Sequence, residues 1–113
     1  TKMGIKIYVD DERRKPYEFD IVSRSNESFA DLVWTWKNGE GIVETISFDH
    51  DNMHGPDFME CLYVLQVMNY WPDNLVFHTA NPVAHAQMVA WAQENAPEST
   101  FVDPRFFWPR HLG

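Results

Sequence analysis

The sequence predicts a three-layer α/β domain with a mostly parallel sheet of four or five strands and about three helices. Short β-branched and aromatic runs alternate along the chain with segments of helical periodicity. The strand-like runs carry few charges, as expected for parallel strands that are buried on both faces. The three strongest runs end abruptly in ionisable residues, at Asp10, Asp49 and His78. These observations indicate a buried sheet with polar chemistry at one edge.

The strands are predicted from apolar runs that stop at polar or turn-forming residues. They cover residues 5–9, 21–24, 44–48, 75–78 and 100–102. The segment between the first two strands is charged, contains Pro16 and is short for a helical crossover. We therefore predict a loop there, so that the first crossover helix is missing or reduced.

Three helices are predicted between the later strands. They cover residues 27–37, 55–69 and 81–95. Ser25 or Asn26 is expected to cap the first helix, and Gly39 lies just past its end. Pro56 suits the first turn of the second helix, which is apolar around much of its circumference and should be deeply packed. The third helix starts at Asn81, which precedes a proline.

The size and charge of the chain limit its possible functions. Its 113 residues suffice for one hydrophobic core, so we expect a single domain over residues 1–113. The net charge of -8 disfavours non-specific binding to nucleic acid, whose phosphates it would repel. The chain has no GxxxxGK[ST] or GxGxxG motif and no zinc signature, which disfavours the sites that those motifs form.

The sequence also predicts a cytoplasmic location. The single cysteine, Cys61, lies in an apolar run and fits a reducing compartment. No apolar stretch approaches the roughly 20 residues that are needed to span a bilayer. We therefore expect no association with membranes.

Polar residues at three strand ends are the candidates for chemistry. The carboxyl ends of parallel strands share one edge of a sheet, and ligands bind in the crevice outside that edge. The side chains that follow the strands should therefore converge on one site. They are Asp10, Asp11, Asp49, His50, Asp51 and His78.

The pair Asp10-Asp11 is the first candidate. Two adjacent carboxylates are hard to keep ionised without a positive charge nearby, which either Arg13 or a divalent cation could supply. Hard cations prefer oxygen ligands, so Asp10 or Asp11 together with Asp49 or Asp51 could bind Mg²⁺, Mn²⁺ or Ca²⁺. The alternative is a solvated turn in which Asp11 caps local amides and pairs with Arg13.

The triplet Asp49-His50-Asp51 is the second candidate. Along an extended segment, Asp49 and Asp51 would point to one side and His50 to the other. A histidine beside carboxylates can have its tautomer fixed and its basicity raised, which suits general acid or base catalysis. The alternative is a capped turn before the second helix, with His50 hydrogen-bonded in the core.

The third candidate is the segment His78-Thr79-Ala80-Asn81. The amides at the start of the following helix could donate to a phosphate, next to Thr79 and Asn81. Alternatively, Thr79 or Asn81 is only an N-cap and His78 only a satisfied strand-end residue. His50 and His78 on opposite sides of a phosphodiester could serve as base and acid, in either order.

The remaining histidines and the C-terminal end carry weaker signals. His54 lies in a loop, where it could gate a site or bind metal but is expected to be exposed, His85 lies on a helix, and His111 lies in the tail. The segment 106–109 is too apolar to stay exposed to water and is expected to pack on the sheet edge, a helix or another subunit. A homo-oligomer or a protein partner could therefore be bound through this aromatic tail.

Taken together, the three motifs resemble the cyclic-phosphate processing receiver-like family, small domains related in fold to response-regulator receivers. The resemblance covers roughly residues 5–91. It implies a flavodoxin-like, receiver-like sheet and a role in recognising or hydrolysing cyclic phosphates on nucleotides or RNA ends. The residues that match the family motifs are Asp10, Asp11, Arg13, Asp49, His50, Asp51, His78 and Asn81.

The chain departs from the family pattern in the loop after Asp51 and at Ala84-His85, which implies a different substrate rim or a lost activity. Two other classes of function compete. A phospho-accepting receiver would normally have a lysine after the last strand, where this chain offers only Arg105. A non-catalytic module that binds and sequesters a nucleotide or a protein is the third class.

The leading hypothesis is a cyclic phosphodiesterase with a divalent metal, Mg²⁺ or Mn²⁺, as a possible cofactor. His50 and His78 would exchange protons, while Asp49 or Asp51 would orient an imidazole or bind the cation. The metal ligands would come from Asp10, Asp11 and Asp49, and the phosphate would be held by Arg13, Thr79 and Asn81.

Overall fold

The computed structural model describes residues 4–39, 41–51 and 55–106. The strands are β1 Ile5–Val9, β2 Ile21–Ser23, β3 Val43–Phe48, β4 Asn74–Phe77 and β5 Phe101–Val102, and the helices are α1 Asn26–Asn38, α2 Met59–Met68 and α3 Pro82–Asn95. All neighbouring strands pair in parallel, in the order β2-β1-β3-β4-β5. The predicted receiver-like α/β fold is confirmed.

The three helices pack on one face of this sheet. The steps from β2 to β3, from β3 to β4 and from β4 to β5 all run in the same direction across the sheet. Right-handed crossovers therefore place α1, α2 and α3 on the same side. Their buried side chains form one apolar core with the strands, including Ile7, Ile46 and Phe77.

The loop over residues 10–20 replaces the first crossover helix, as predicted. The step from β1 to β2 runs opposite to the other three, so this loop lies over the other face of the sheet. Phe19 of the loop packs edge-on against Tyr8 of β1, with 5.2 Å between the ring centroids. Within the described residues, this loop is the layer opposite α1, α2 and α3.

The predicted cap of α1 is confirmed, and Asn81 caps α3, the role that was the alternative to phosphate binding. The Ser25 hydroxyl accepts a hydrogen bond from the Ser28 amide at 3.0 Å at the start of α1. The side-chain oxygen of Asn81 accepts from the amides of Val83 and Ala84 at the start of α3. These contacts satisfy backbone donors that the first turn of a helix leaves unpaired.

The second helix begins later than predicted, at Met59 rather than near Gly55. Asp57 accepts a hydrogen bond from the Met59 amide through its side chain, which closes a turn before the helix. The amide of the fully buried Phe58 donates to the carbonyl of His50 at 2.9 Å. Pro56 therefore belongs to the loop.

Some predictions fall outside the described residues. They concern His54, His111 and the segment 107–109. The neighbouring Phe106 contacts the ring of His85 edge-on, with 5.2 Å between the centroids. None of the described helices is long and apolar enough to cross a membrane.

Candidate active site

Three ionisable side chains meet at the carboxyl edge of the sheet. Asp10, Asp49 and His78 each follow the last residue of a strand, and their possible ligand atoms lie within 4.8 Å of one another. Each backbone amide is held by the neighbouring strand, for example that of Asp49 by the Val9 carbonyl at 2.9 Å and that of His78 by the Phe48 carbonyl at 2.8 Å. The site is therefore built on the rigid sheet.

His78 is fixed through both ring nitrogens. Its Nε2 lies 2.9 Å from Oδ2 of Asp10, and its Nδ1 lies 2.7 Å from the hydroxyl of Ser47. The ring is fully buried and stacks on Tyr8 with 4.3 Å between centroids. Burial lowers the pKa of His78 more than the hydrogen bond to Asp10 raises it, so the imidazole is neutral. Nε2–H then donates to Asp10, and the Ser47 hydroxyl donates to Nδ1.

Asp10 is held as a carboxylate. Burial alone would raise its pKa, but hydrogen bonds from His78 and from the amides of Arg13 and Glu12 outweigh burial and lower the pKa. Both amides donate to Oδ1, at 2.8 and 2.9 Å. The Arg13 guanidinium adds a positive charge 3.6 Å from Oδ2.

The environment of Asp49 favours the protonated carboxyl, whereas that of Asp10 favours the carboxylate. Burial, followed by the charge of Asp10, raises its pKa to about 6. Its Oδ1 accepts a hydrogen bond from the His50 amide at 2.8 Å. Asp49 is 8% exposed, whereas Asp10 and His78 are at most 1% exposed, so solvent reaches the cluster at Asp49. Two neighbouring carboxyls whose pKa values are pushed apart are typical of functional sites.

Two arginines border the cluster. Arg13 donates to the carbonyl of His78 at 3.2 Å. Arg24, one residue past β2, donates to the carbonyls of Arg13 at 2.6 Å and Asp10 at 3.2 Å. Arg24 was missed by the sequence analysis, although it follows the strand that pairs with β1. These hydrogen bonds hold the start of the β1–β2 loop against the end of β2.

Tyr8 and Ser47 were also missed. Each lies two residues before a carboxylate of the cluster, and residues two apart on a strand share a face. The Tyr8 hydroxyl is buried and has no hydrogen bond of good geometry to any described residue. Burial and then Asp10 raise the pKa of Tyr8 to about 12, while the nearby Arg13 opposes that rise.

His50 and Asp51 do not join the cluster. The Nδ1 of His50 lies 2.8 Å from Oδ1 of Asp51, and its Nε2 lies 3.6 Å from Oδ2 of Asp57. The strand β3 ends at Phe48, and Asp51 is not among the three residues whose ligand atoms converge. The paired action of His50 and His78 stays a prediction, and these contacts do not favour it.

The other predicted residues have local contacts. The hydroxyl of Thr79 accepts from the Asn81 amide at 3.2 Å, and Asn81 caps α3. Asp11 is half-buried and is not among the three residues whose ligand atoms converge. The predicted roles of these residues in binding phosphate or metal stay predictions.

The donor set fits a hard divalent cation. Asp10 and Asp49 offer carboxylate oxygens, which Mg²⁺ and Mn²⁺ prefer. A cation between them would relieve the repulsion that raises the pKa of Asp49. His78 already donates through Nε2 to Asp10, so the carboxylates are the better ligands.

Comparison with known proteins identifies the family. Residues 5–94 match the model of the cyclic-phosphate processing receiver domain, and this range includes the whole cluster and both arginines. A search of the curated proteins and a search of the solved structures found no match for the chain. Because the match covers most of the 113 residues, the chain belongs to the cyclic-phosphate processing receiver domain family.

Proposed function

We propose that this protein binds a cyclic phosphodiester on a nucleotide or RNA end and hydrolyses it at the Asp10, Asp49 and His78 cluster. The observation that carries the proposal is the convergence of these ligand atoms within 4.8 Å, beside the Arg13 guanidinium. Water would attack phosphorus and give up one proton, one ring P–O bond would break, and the leaving oxygen would take up one proton. The product is a phosphomonoester with a free hydroxyl group.

A phosphate needs positive charge at this site, because Asp10 and Asp49 would otherwise repel it. The Arg13 side chain is one-third exposed and can turn toward a ligand from its place beside Asp10. A divalent cation held by Asp10 and Asp49 would supply the remaining charge and polarise the phosphoryl oxygens. The amides at the start of α3 are less suited, because the Asn81 side chain already accepts from two of them.

We assign proton exchange to His50 and a positioning role to His78. The contact between His50 Nδ1 and Asp51 can fix the tautomer in which Nε2 accepts a proton, and a substrate would have to take the place of Asp57, whose Oδ2 lies 3.6 Å from Nε2. The His50 side chain is 15% exposed, whereas His78 is fully buried with both nitrogens engaged. His78 therefore acts through Asp10, whose carboxylate it orients.

One observation favours a second candidate, a phospho-accepting receiver. Asp49 follows β3 beside an acidic partner, as a phosphorylated aspartate would. A receiver is expected to have a cationic side chain after its last strand. Arg105 lies at that place in this chain, and its Nε and Nη2 contact the carboxylate of Asp103 at 3.0 and 2.7 Å. This pairing makes phosphorelay the second choice.

The test is incubation of the protein with a panel of 2′,3′-cyclic and 3′,5′-cyclic nucleotides in Mg²⁺, in Mn²⁺ and in EDTA. We expect metal-dependent release of a monoester that Asp49→Asn abolishes. Asp31→Asn, which changes an exposed carboxylate on α1, is the matched control and should keep full turnover.

Two other results would indicate a different function. A nucleotide that raises the unfolding temperature without being turned over would indicate a binding module. Labelling by acetyl phosphate that disappears in Asp49→Asn would indicate a receiver.

A further inference from the structure

The Arg13 guanidinium lies beside the carboxylate oxygen of Asp10 that still has an open acceptor position. A carboxylate offers about four acceptor positions on its two oxygens. The amides of Glu12 and Arg13 donate to Oδ1 of Asp10, and the buried ring of His78 donates to Oδ2. Among the described residues, the fourth position therefore remains on Oδ2. The Nη1 atom of Arg13 lies 3.6 Å from that oxygen.

The charge of Arg13 acts on both carboxyls of the cluster. The guanidinium pairs directly with Asp10. Burial and the charge of Asp10 raise the pKa of Asp49, whereas the charge of Arg13 lowers it. Arg13 is therefore a counter-ion for the same two groups that would bind a divalent cation. The guanidinium and a cation held by Asp10 and Asp49 would repel each other strongly at so short a distance.

The side chain of Arg13 can leave this place while its backbone stays. The Arg13 amide donates to Asp10 at 2.8 Å, and the Arg13 carbonyl accepts from Arg24 at 2.6 Å. The side chain is held less firmly, by the ion pair with Asp10 and by a hydrogen bond of 3.2 Å to the carbonyl of His78. It is one-third exposed to solvent. Rotation about its own bonds can therefore turn the guanidinium outward without moving the β1–β2 loop.

We propose that Arg13 is an exchangeable counter-ion that leaves Asp10 when a divalent cation binds and is then free to bind the phosphate of the substrate. The inference rests on the proposed function, because it concerns the same cluster and the same ligand. A free guanidinium offers a planar fork of donors that can bind two phosphate oxygens at once. Without the cation, Arg13 stays paired with Asp10. The cation and the phosphate should therefore bind with positive coupling, each raising the affinity for the other by the same factor.

Two simpler roles of Arg13 predict different effects of its removal. If the side chain only bound phosphate, its removal would leave the affinity for the cation unchanged. If it only held Asp10 in place, its removal would weaken the binding of the cation. An exchangeable counter-ion predicts changes of opposite sign, because its removal strengthens the binding of the cation and weakens the binding of phosphate.

The test is isothermal titration calorimetry of the full chain with Mg²⁺ alone, and with inorganic phosphate in the presence and absence of Mg²⁺. We expect Arg13→Gln to bind Mg²⁺ about tenfold more tightly than the wild type, because no guanidinium competes for Asp10. With Mg²⁺ present, this variant should bind phosphate about tenfold more weakly. The wild type should bind phosphate at least about fivefold more tightly with Mg²⁺ than without it.

Arg14→Gln is the matched control, because it removes the same charge from the next residue, which is exposed. It should change the affinity for Mg²⁺ by less than about twofold, since solvent and salt screen an exposed charge. Circular dichroism should be the same for both variants and the wild type. The proposal is overturned by equal effects of the two variants on Mg²⁺ binding, or by a wild type that does not bind Mg²⁺. It is also overturned if Arg13→Gln fails to bind Mg²⁺ more tightly or phosphate more weakly.

These measurements follow binding and not turnover, so they separate the role of Arg13 from the phosphodiesterase activity. Opposite changes in the two affinities of Arg13→Gln, without hydrolysis of any cyclic nucleotide, would contradict the proposed activity and support the role of Arg13. Hydrolysis by the wild type, with an unchanged affinity of Arg13→Gln for Mg²⁺, would contradict the role of Arg13 alone.

Discussion

The Nε2 atom of His78 lies 2.9 Å from Oδ2 of Asp10 in a pair that is almost entirely excluded from solvent. The imidazole is neutral, because burial lowers the pKa of His78, and it donates one hydrogen bond to a carboxylate held ionised by three donors. The pair fixes the Asp10 carboxylate at the carboxyl end of β1. Asp10 can then serve as a pre-oriented ligand or anion.

Ser47→Ala tests the contact that orients His78. The substitution leaves Nδ1 of a buried imidazole without its donor at 2.7 Å, which should lower the free energy of unfolding by about 1–3 kcal/mol. ¹⁵N NMR should show the Nε2–H tautomer in both proteins, because Asp10 still accepts from Nε2–H in the variant, with a change of the Nδ1 chemical shift in the variant. Thr35→Ala, which removes an exposed hydroxyl on α1, should change the free energy by less than about 0.5 kcal/mol. An Nδ1–H tautomer in the wild type, or an Nδ1 chemical shift that Ser47→Ala leaves unchanged, would contradict the assignment.

Asp49→Asn should stabilise the metal-free protein at pH 8. Folding raises the pKa of Asp49 from 3.8 to about 6, so the native state binds this proton more strongly than the unfolded state does. The fold therefore loses stability as the pH rises from about 4 to about 6, by up to about 3 kcal/mol for a shift of this size, and the loss is complete above pH 6. The asparagine removes that penalty while it keeps an oxygen for the His50 amide.

The pH dependence of the free energy of unfolding tests whether ionised Asp49 destabilises the fold. Below pH 4 the carboxyl is protonated in both states, so wild type and Asp49→Asn should have nearly equal free energies of unfolding there, measured in urea with EDTA. The advantage of the variant should grow between pH 4 and pH 6. Mg²⁺ should raise the unfolding temperature of the wild type but not of the variant. A variant that is less stable than the wild type at pH 8 would contradict this account of Asp49.

Tyr8→Phe should leave the free energy of unfolding unchanged or slightly raised. Its hydroxyl is buried without a well-formed hydrogen bond to any described residue, so removing it costs no internal hydrogen bond. The matched control is Tyr70→Phe, because the Tyr70 hydroxyl donates to the Gly41 carbonyl. The control should lose about 1 kcal/mol. A similar loss in Tyr8→Phe would mean that its hydroxyl has a partner.

His50→Gln should reduce turnover of a cyclic phosphate by about 10²–10⁴-fold, the usual contribution of general acid–base catalysis. Asp51→Asn should have a smaller effect, because it removes the partner at 2.8 Å but leaves the imidazole in place. Full activity in His50→Gln would exclude His50 as the proton-exchanging group.

Much of the fold follows from local signals in the sequence. β-branched and aromatic runs located every strand to within one or two residues, and Ser25 caps α1 as predicted. The short, charged segment after β1 indicated the missing crossover helix correctly. The start of α2 was misplaced because Pro56 suits a first turn, whereas the buried Phe58 and the side chain of Asp57 hold the chain in a turn up to Met59.

The site was only partly predictable. Parallel topology placed Asp10, Asp49 and His78 at one edge, and the structure brings them together. Asp51 lies beyond the end of β3 at Phe48 and contacts the Nδ1 of His50, a pairing that strand alternation does not predict. The partners of His78 could not be inferred, because Ser47 and Tyr8 look like ordinary strand residues until the register of β1 and β3 aligns them.

The hydrolysis of a cyclic phosphate is tested most simply by ³¹P NMR of 2′,3′-cyclic and 3′,5′-cyclic nucleotides mixed with the metal-loaded protein. We expect the wild type and Asp31→Asn to convert a cyclic-phosphate signal to a monoester signal. We expect no conversion by Asp10→Asn, by Asp49→Asn or in EDTA. Conversion that persists in both cluster variants, or no conversion of any cyclic phosphate by the wild type, would contradict the proposed phosphodiesterase activity.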